Sequence, residues 1–343
     1  MPKVISAPSK AAQPVSVVVA ARNERDNLSR LLPALQTQIH PDFEIILVDD
    51  RSNDGTTAWL QELSKTIPRL RVISITQKPD RWDGKKYALT QGIIAARHDC
   101  LLFTDADCLP ASPHWLRTMT APLNSSQVQF VLGYGAYLPR PGWLNALIQF
   151  ETQLTAFHYL ASAALGHPYM GVGRNLAYRK SFFLEKGGFA PWHQSTGGDD
   201  DLWVGSQSTA QNTAIVLSLE AHTYSTPHTH WRHWLRQKHR HLGAGKGYAM
   251  RHKIWVVLWQ GSYLGTLLLI PLTFGLSPES QKNLLLALIG FRYVYWGCLW
   301  YGLQKRLNKA ITPFFVFIFE VIYLLYYIGV GFWTLTGKRT SWT

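Results

Sequence analysis

Three long apolar segments in the final third of the chain constrain its fold more than any other feature. They cover residues 254–275, 283–303 and 312–337 of a 343-residue chain. Each reaches the roughly 20 residues that an α-helix needs to cross a bilayer. The alternative, buried helices of a water-soluble core, is disfavoured because core helices rarely run so far without charges. We therefore predict a membrane domain over 254–337 with three transmembrane helices.

Basic residues flank these segments unevenly, and the asymmetry indicates an orientation. Residues 229–253 contain seven Lys and Arg and no acid, and the 304–310 loop is also basic. The 276–282 loop has a single Lys. Because cytoplasmic loops are enriched in Lys and Arg, we expect the two basic segments in the cytosol and 276–282 outside. The tail, 338–343, would then lie outside although it is basic, which leaves the orientation of the third span open.

Two charged residues lie within the predicted spans, Arg292 and Glu320. Charges in a bilayer usually pair with one another. Either the two side chains form an ion pair across helices, or the glutamate is protonated.

The whole chain has 34 Lys and Arg against 21 Asp and Glu, a net charge of +13. A nucleic-acid partner is one explanation of such a charge. The excess, however, lies beside the apolar segments, where anionic inner-leaflet lipid explains it better. We predict membrane lipids and no nucleic acid as partners. The three cysteines are too few for a disulfide framework, so we expect a multi-pass inner (plasma) membrane protein with a cytoplasmic main domain.

Strand and helix patterns alternate over the first 135 residues. Apolar runs predict strands at 15–21, 43–50, 70–76 and 100–107. Helical spacing between them predicts helices at 25–38, 53–65 and 85–97. Such alternation is typical of an α/β fold with a mostly parallel, Rossmann-like sheet and right-handed crossovers. Ligands of these sheets bind outside the carboxyl ends of the strands.

The remaining segments complete the predicted domain organisation. Residues 1–14 are expected to form a tail and 15–228 the α/β domain. Within that domain, 142–165 has the pattern of a long, weakly charged helix, packed either on the sheet or along a membrane interface. Residues 229–253 combine Trp, His and basic residues, which favours an interfacial helix.

Carboxylates cluster at two predicted strand ends. The sequence DAD places Asp105 and Asp107 one residue apart, where both can turn toward one hard divalent cation. Asp49 and Asp50 follow the second strand, where a carboxylate can bind a ribose or a base. The simpler interpretations are an acidic surface triplet and a polar loop.

Further candidates lie later in the chain. Lys85 follows Gly84 near a helix N-terminus, which favours an anionic phosphate or a polar base edge. The GGDDDLW segment offers a general base from among Asp199, Asp200 and Asp201, or simply an acidic helix start. Gln237 and Arg240 share a helix face. They could meet a diphosphate, or belong to the basic belt.

These motifs occur in one order: AARNE, DDRSNDGT, WDGKKYAL, DAD, GVGRNLAYRKSFF, GGF, GDDDLW and QKHRH. Together they resemble the family 2 glycosyltransferases, inverting enzymes with a GT-A nucleotide-diphospho-sugar transferase fold, over about residues 15–247. The resemblance implies a nucleotide site formed by Ala21, Asn23, Glu24, Asp49, Asp50, Lys85 and Asp105. It implies Mg²⁺ or Mn²⁺ on Asp105 and Asp107. It further implies a catalytic base on Asp199, with Asp200 as the alternative.

The family's Q-x-x-R-W motif falls on Gln237, Arg240 and His241, near the diphosphate and the acceptor, and we assign Trp203 and Asn175 to the same vicinity. Two departures matter. Gly198 replaces the glutamate before the base, and His241 replaces the tryptophan that cradles a growing chain in processive synthases. Trp82 to Lys85 resembles branches that glycosylate lipids.

The sequence therefore predicts transfer of one sugar, from a UDP-sugar by preference, to a hydroxyl of a lipid or lipid-linked acceptor. Two alternatives remain: a processive polysaccharide synthase subunit, and a non-catalytic, membrane-anchored protein that binds sugar nucleotides.

Overall fold

The computed structural model describes residues 4–5, 12–307 and 313–336. Within these ranges it has eleven strands: β1 (Val4–Ile5), β2 (Val15–Ala21), β3 (Phe43–Asp50), β4 (Leu70–Ile75), β5 (Cys100–Phe103), β6 (Cys108–Pro110), β7 (Phe130–Leu132), β8 (Gly135–Tyr137), β9 (Leu176–Arg179), β10 (Thr213–Val216) and β11 (Thr223–Ser225). The α-helices in the same ranges are α1 (Arg25–Gln36), α2 (Thr56–Thr66), α3 (Gly84–Ala95), α4 (Trp115–Thr120), α5 (Trp143–Ala164), α6 (Lys180–Glu185), α7 (Asp201–Gln207), α8 (Trp231–Ala244), α9 (Met250–Leu276), α10 (Glu279–Arg306) and α11 (Pro313–Thr336).

The main sheet is mixed and mostly parallel. Its strand order is β1-β10-β7-β9-β5-β2-β3-β4, and β9 alone among these strands runs antiparallel to its neighbours, β5 and β7. A smaller sheet, β6-β11-β8, lies beside it. The sheet therefore has the α/β architecture that the alternating pattern predicts, and the first four predicted strands and their connecting helices are confirmed.

Two local differences affect the acidic motifs. The fourth predicted strand ends at Phe103, so Asp105 and Asp107 lie in the loop that follows β5. Helix α2 begins at Thr56 rather than at residue 53, because the Asp54 carboxylate accepts a hydrogen bond of 3.0 Å from the Thr56 N–H. Both acidic segments are thus loops beyond strand ends.

Alternate residues of β2 face opposite sides of the sheet, so the domain has a core on each face. Val15, Val17 and Val19 pack with the leucines of α1, whereas Val18 packs under α3. Gly92 permits that close approach, because a Cβ there would lie 2.7 Å from Val18 Cγ1. All seven residues of β2 are buried, as in a sheet covered on both faces.

Helix α5 joins the α/β domain to the long C-terminal helices. It contacts β8 and β10 as well as α11. Phe150 is fully buried and stacks on Trp300 of α10, with ring centroids 5.1 Å apart, and on Phe319 of α11, at 5.8 Å. The packing on the sheet that we predicted for 142–165 is therefore confirmed, and another side of α5 lies against the long helices; a position along a membrane interface stays a prediction.

Among the residues that the structure describes, three helices are long and apolar enough to cross a membrane: Met250–Leu276, Glu279–Arg306 and Phe315–Trp333. In each of the first two helices, only 6% of the most apolar 18-residue segment is buried, as expected of surfaces that contact lipid. These helices match the three predicted spans. The tail, 338–343, and residues 308–312 lie outside the described residues.

The segment 229–253 is not the single helix that we predicted. Helix α8 ends at Ala244, a short 3₁₀ turn covers Gly245–Gly247, and α9 begins at Met250. The three glycines of GAGKG explain the break, because glycine is the poorest helix former after proline. The predicted tail, 1–14, likewise contributes β1, which pairs with β10.

An ion pair connects two of the long helices. Arg292 of α10 lies 3.3 Å from Glu320 of α11, and Tyr263 of α9 donates a hydrogen bond of 3.0 Å to the same carboxylate. Of the two alternatives considered for Arg292 and Glu320, the structure shows the pairing across helices. Tyr263 of α9 also contacts the pair.

The Phe150→Ala variant tests whether α5 holds the two parts together. Truncating a fully buried aromatic side chain costs about 3–5 kcal/mol, so we expect a clearly lower thermal unfolding midpoint for the purified protein in detergent. Phe291→Ala is the control, because Phe291 is 71% exposed on α10, and a surface change costs within about 0.5 kcal/mol. Equal midpoints for the two variants would contradict this role of α5.

Candidate active site

A cavity of about 640 Å³ opens beyond the carboxyl ends of β2 and β5. The loop after β2 contributes Arg22 and Glu24, and the loop after β5 contributes Asp105 and Asp107. Side chains of α5, α8, α9 and α11 form the opposite wall. The cavity therefore extends from the sheet to the long C-terminal helices.

Asp105 and Asp107 form a compact group of potential metal ligands with Cys108. One ligand atom from each of the three lies within 4.8 Å of the others. The Cys108 thiol is buried and lies 3.0 Å from the Ser225 hydroxyl, and burial together with the two carboxylates raises its pKa well above the usual value. Two carboxylates with open space before them suit Mg²⁺ or Mn²⁺, which prefer oxygen ligands. The residues present thus fit the predicted cation.

Lys85 lies between the two acidic segments. Its Nζ is 2.9 Å from Asp105 Oδ1 and 3.1 Å from Asp199 Oδ2. Burial alone would lower the pKa of Lys85, but the surrounding aspartates hold it well above its ordinary value. The ammonium group therefore stays charged and links the loop after β5 to the loop before α7.

Lys86 fixes the loop that precedes the acids, a role that the sequence analysis missed. Its fully buried ammonium group donates hydrogen bonds to the backbone carbonyls of Ser195 and Gly197. Gly198 follows with φ +86°, and a Cβ there would lie 2.4 Å from Leu202 Cδ1. This geometry explains why a glycine stands where the family motif has glutamate. The adjacent pair Lys85-Lys86 was the only sequence signal.

The three consecutive aspartates differ in their environments. Burial would raise the pKa of Asp199, but Lys85 and Lys86 hold it below the ordinary value. Burial and the charge of Asp199 raise the pKa of Asp200, which also accepts a 2.7 Å hydrogen bond from the Gly173 N–H. Burial, and then Asp200, raise the pKa of Asp201 to about 8. Of the three, Asp199 is thus the carboxylate most readily ionised at neutral pH.

Helix α8 brings the basic motif to the same cavity. Gln237, Arg240 and His241 all line it. The Tyr137 hydroxyl lies 3.4 Å from Gln237 Oε1, and the Arg174 guanidinium lies over the Tyr137 ring at 4.6 Å. Arg174 was not singled out in the sequence, although it lies within the GVGRN motif.

Several predicted site residues do not line this cavity. Asp49 accepts hydrogen bonds from Ser52 and Thr57, and Asp50 is paired at 2.7 Å with Arg51. The nucleotide role of Asp49 and Asp50 stays a prediction. The other predicted residues outside the lining are Ala21, Asn23, Trp203 and Asn175.

The structure gives three of these residues local structural contacts. Asn23 and the loop after β3 exchange hydrogen bonds, since the Asn53 N–H donates to Asn23 Oδ1 at 2.9 Å. Trp203 is fully buried in an aromatic cluster with Phe183, their rings 5.1 Å apart. Asn175 is also fully buried and accepts a 3.0 Å hydrogen bond from the Trp115 indole.

The wall formed by the long helices is rich in tyrosine. Tyr323, Tyr326 and Tyr327 of α11 line the cavity together with Gln260 of α9, whose amide donates to the Tyr323 hydroxyl at 3.2 Å. Beside them, Lys238 and Glu151 form a buried ion pair between α8 and α5. Gln260 and the three tyrosines lie in predicted membrane spans, and nothing in the sequence indicated that they line a cavity.

Two family models match the chain. The model described as Glycosyl transferase family 2 matches residues 16–185, and Glycosyl transferase family group 2 matches residues 101–333. The chain belongs to the family 2 glycosyltransferases. It is a glycosyltransferase with a GT-A fold, as the ordered motifs implied.

A solved structure shares the fold, and curated proteins are similar in sequence. A mannosyltransferase of Pyrobaculum calidifontis, PcManGT, solved with GDP-Man and Mn²⁺, superposes with a TM-score of 0.60 at 16% identity, covering 99% of this chain and 91% of its own. Glycosyltransferase AglE of Haloferax volcanii is 30% identical over 35% of this chain and 38% of its own length. The 4,4'-diaponeurosporenoate glycosyltransferase of Staphylococcus haemolyticus is 30% identical over 36% of this chain and 32% of its own length. The chain thus spans about a third of the length of the curated relatives that it matches.

The Asp107→Ala variant of this glycosyltransferase tests the cation site. Removing one hard ligand should weaken Mn²⁺ binding more than about ten-fold. The signal of free Mn²⁺ in electron paramagnetic resonance measures this without any turnover. Asp80→Ala removes an exposed carboxylate away from the cavity and serves as the control. Unchanged affinity in Asp107→Ala would exclude Asp107 as a ligand.

Proposed function

We propose that this glycosyltransferase moves one sugar from a nucleoside-diphosphate donor, by preference a UDP-sugar, to a hydroxyl of a lipid or lipid-linked acceptor. The observation that carries the proposal is the shape of the cavity. One continuous space touches the acidic loops after β5 and before α7, and also α9 and α11. A lipid acceptor needs such a site, because its chain stays in the bilayer while its hydroxyl must reach the donor.

Relatives with lipid-related names support this acceptor class. They include a dolichol-phosphate mannosyltransferase of Pyrococcus furiosus, 35% identical over 27% of this chain and 25% of its own length. The carotenoid-related enzyme of Staphylococcus haemolyticus described above also has an apolar substrate in its name. We propose accordingly that the three apolar helices span the inner membrane and that the catalytic domain is cytoplasmic.

The proposed reaction is a single in-line displacement with inversion. Asp199 takes the proton of the acceptor hydroxyl as the oxygen bonds to the anomeric carbon. The bond from that carbon to the diphosphate oxygen breaks at the same time. Arg240, with Gln237 on the same helix face, stabilises the departing nucleoside diphosphate.

A divalent cation bound to Asp105 and Asp107 would supply further positive charge to the diphosphate. Lys85 contributes a further positive charge, which is held between Asp105 and Asp199. We propose that Glu24, which lines the cavity beside the DAD loop, contacts the nucleoside. Mg²⁺ and Mn²⁺ both suit the carboxylate ligands.

Asp199→Asn tests the base. General-base catalysis contributes roughly 10²–10⁴-fold to a rate, so we expect a loss of that size in sugar transfer with donor binding retained. Donor binding is measured by calorimetry and transfer by nucleotide release. Asp80→Asn is the matched control. If Asp199→Asn kept more than about a tenth of the activity, Asp200 would become the better candidate.

A donor-release screen tests the function as a whole. The purified protein in detergent is offered UDP-glucose, UDP-galactose, UDP-N-acetylglucosamine and GDP-mannose with Mn²⁺ or Mg²⁺, with and without a total lipid extract. We expect nucleotide release from one donor that rises when lipid is added. Nucleotide release that does not change when lipid is added would contradict the proposed acceptor class. Products that contain more than one transferred sugar would contradict the single transfer.

A further inference from the structure

A second groove, of about 530 Å³, lies between the first two long helices. Helix α9 contributes one stripe to it, from Trp255 through Trp259 and Ser262 to Thr266, and α10 contributes Arg292 to Leu299. Phe157 and His158 of α5 form its floor. At 1.5 Å per residue, the stripe on α9 is about 16 Å long. The groove is therefore a narrow channel that runs along the helices rather than across them.

The groove is mostly apolar and opens toward the surroundings of the long helices. Leu258 is 65% exposed and Tyr295 57% exposed, and both lie on helices long and apolar enough to cross a membrane. Arg292, a charged residue that lines the groove, forms an ion pair with Glu320. A groove of this shape and polarity, in this part of the chain, fits a hydrocarbon chain better than a protein segment or a charged ligand.

One side chain is common to the groove and the catalytic cavity. His158 lines both. Its ring contacts Trp259 at 5.4 Å, and the neighbouring Phe157 contacts Trp259 at 6.1 Å and Trp296 at 6.0 Å. Burial lowers the pKa of His158 to about 4, so the ring is neutral at pH 7. The residue that the two spaces share is thus uncharged and packs against aromatic rings.

From this shared residue we propose that the groove between α9 and α10 binds the hydrocarbon chain of the acceptor lipid, and that the chain passes His158 where its hydroxyl end enters the catalytic cavity. The inference rests on the proposed function for the identity of the lipid as acceptor. The chain would lie along α9, with its end near Thr266, the residue of the stripe farthest from the cavity. The groove would then set the length of chain that the enzyme accepts.

A matched pair of substitutions on α9 tests this site. Thr266 lines the groove, whereas Thr273, two turns further along, does not. Both are exposed, and both hydroxyls donate to a backbone carbonyl four residues earlier, at 2.7 Å and 2.8 Å. Thr266→Phe should therefore fill the far end of the groove, while Thr273→Phe adds the same side chain to a surface outside it.

The probes are palmityl alcohol and octyl alcohol, each with a photoreactive diazirine near the chain end, added to phosphatidylcholine nanodiscs that hold the full-length protein. We expect palmityl alcohol to label the groove faces of α9 and α10. Thr266→Phe should lower that labelling about ten-fold, equivalent to the loss of roughly two buried methylene groups. Thr273→Phe should leave it unchanged, and octyl alcohol should label all three proteins alike.

Labelling spread evenly over the exposed faces of the long helices would overturn the inference, as would equal labelling of the two variants. The donor-release screen separates this result from the proposed function. If lipid stimulates nucleotide release but labelling is not concentrated in the groove, the groove assignment alone is wrong. If labelling follows the expected pattern while lipid does not stimulate release, the groove binds a chain and the acceptor assignment is wrong.

Discussion

The architecture depends on one helix that packs against two different parts of the molecule. Helix α5 buries residues such as Phe150 against α10 and α11 while also covering the sheet domain. The buried pair of Glu151 and Lys238 adds a polar link from α5 to α8. Because close-packed aromatic contacts do not deform continuously, the acidic loops keep a fixed distance from α9 and α11. Helix α5, together with α8, which also contacts α11, thus positions the two regions that line the cavity.

Placing the two carboxylates after β5 and the three before α7 around one cavity is unfavourable unless positive charge lies among them. Lys85 bonds to one acid from each of the two loops, and Lys86 holds the backbone before Asp199. As a result, the pKa of Asp199 is lowered, whereas the pKa values of Asp200 and Asp201 are raised. Neighbouring lysines and a single buried loop are enough to give three adjacent, chemically identical side chains different properties.

The sheet could be predicted from the sequence because its strands are continuous buried runs such as 15–21, and the three long helices because of their length and lack of charge. The grouping of Asp105, Asp199 and Arg240 followed from ordered motifs. Other features have no local signal. Tyr323 contributes to the cavity only through the packing of α11, and the direction of the Asp50 side chain depends on its neighbour Arg51. Such properties arise from tertiary contacts, which spacing along the chain does not encode.

The pairing of Arg292 with Glu320 has a consequence for how the long helices enter a membrane. An arginine near the middle of a helix costs about 2.5–3.5 kcal/mol on insertion when it has no partner. Its partner here lies on the following helix, which the ribosome synthesises later. In a bilayer, helix α10 would carry this cost until Glu320 of α11 pairs with Arg292. The order of synthesis thus favours insertion of α10 and α11 as one hairpin.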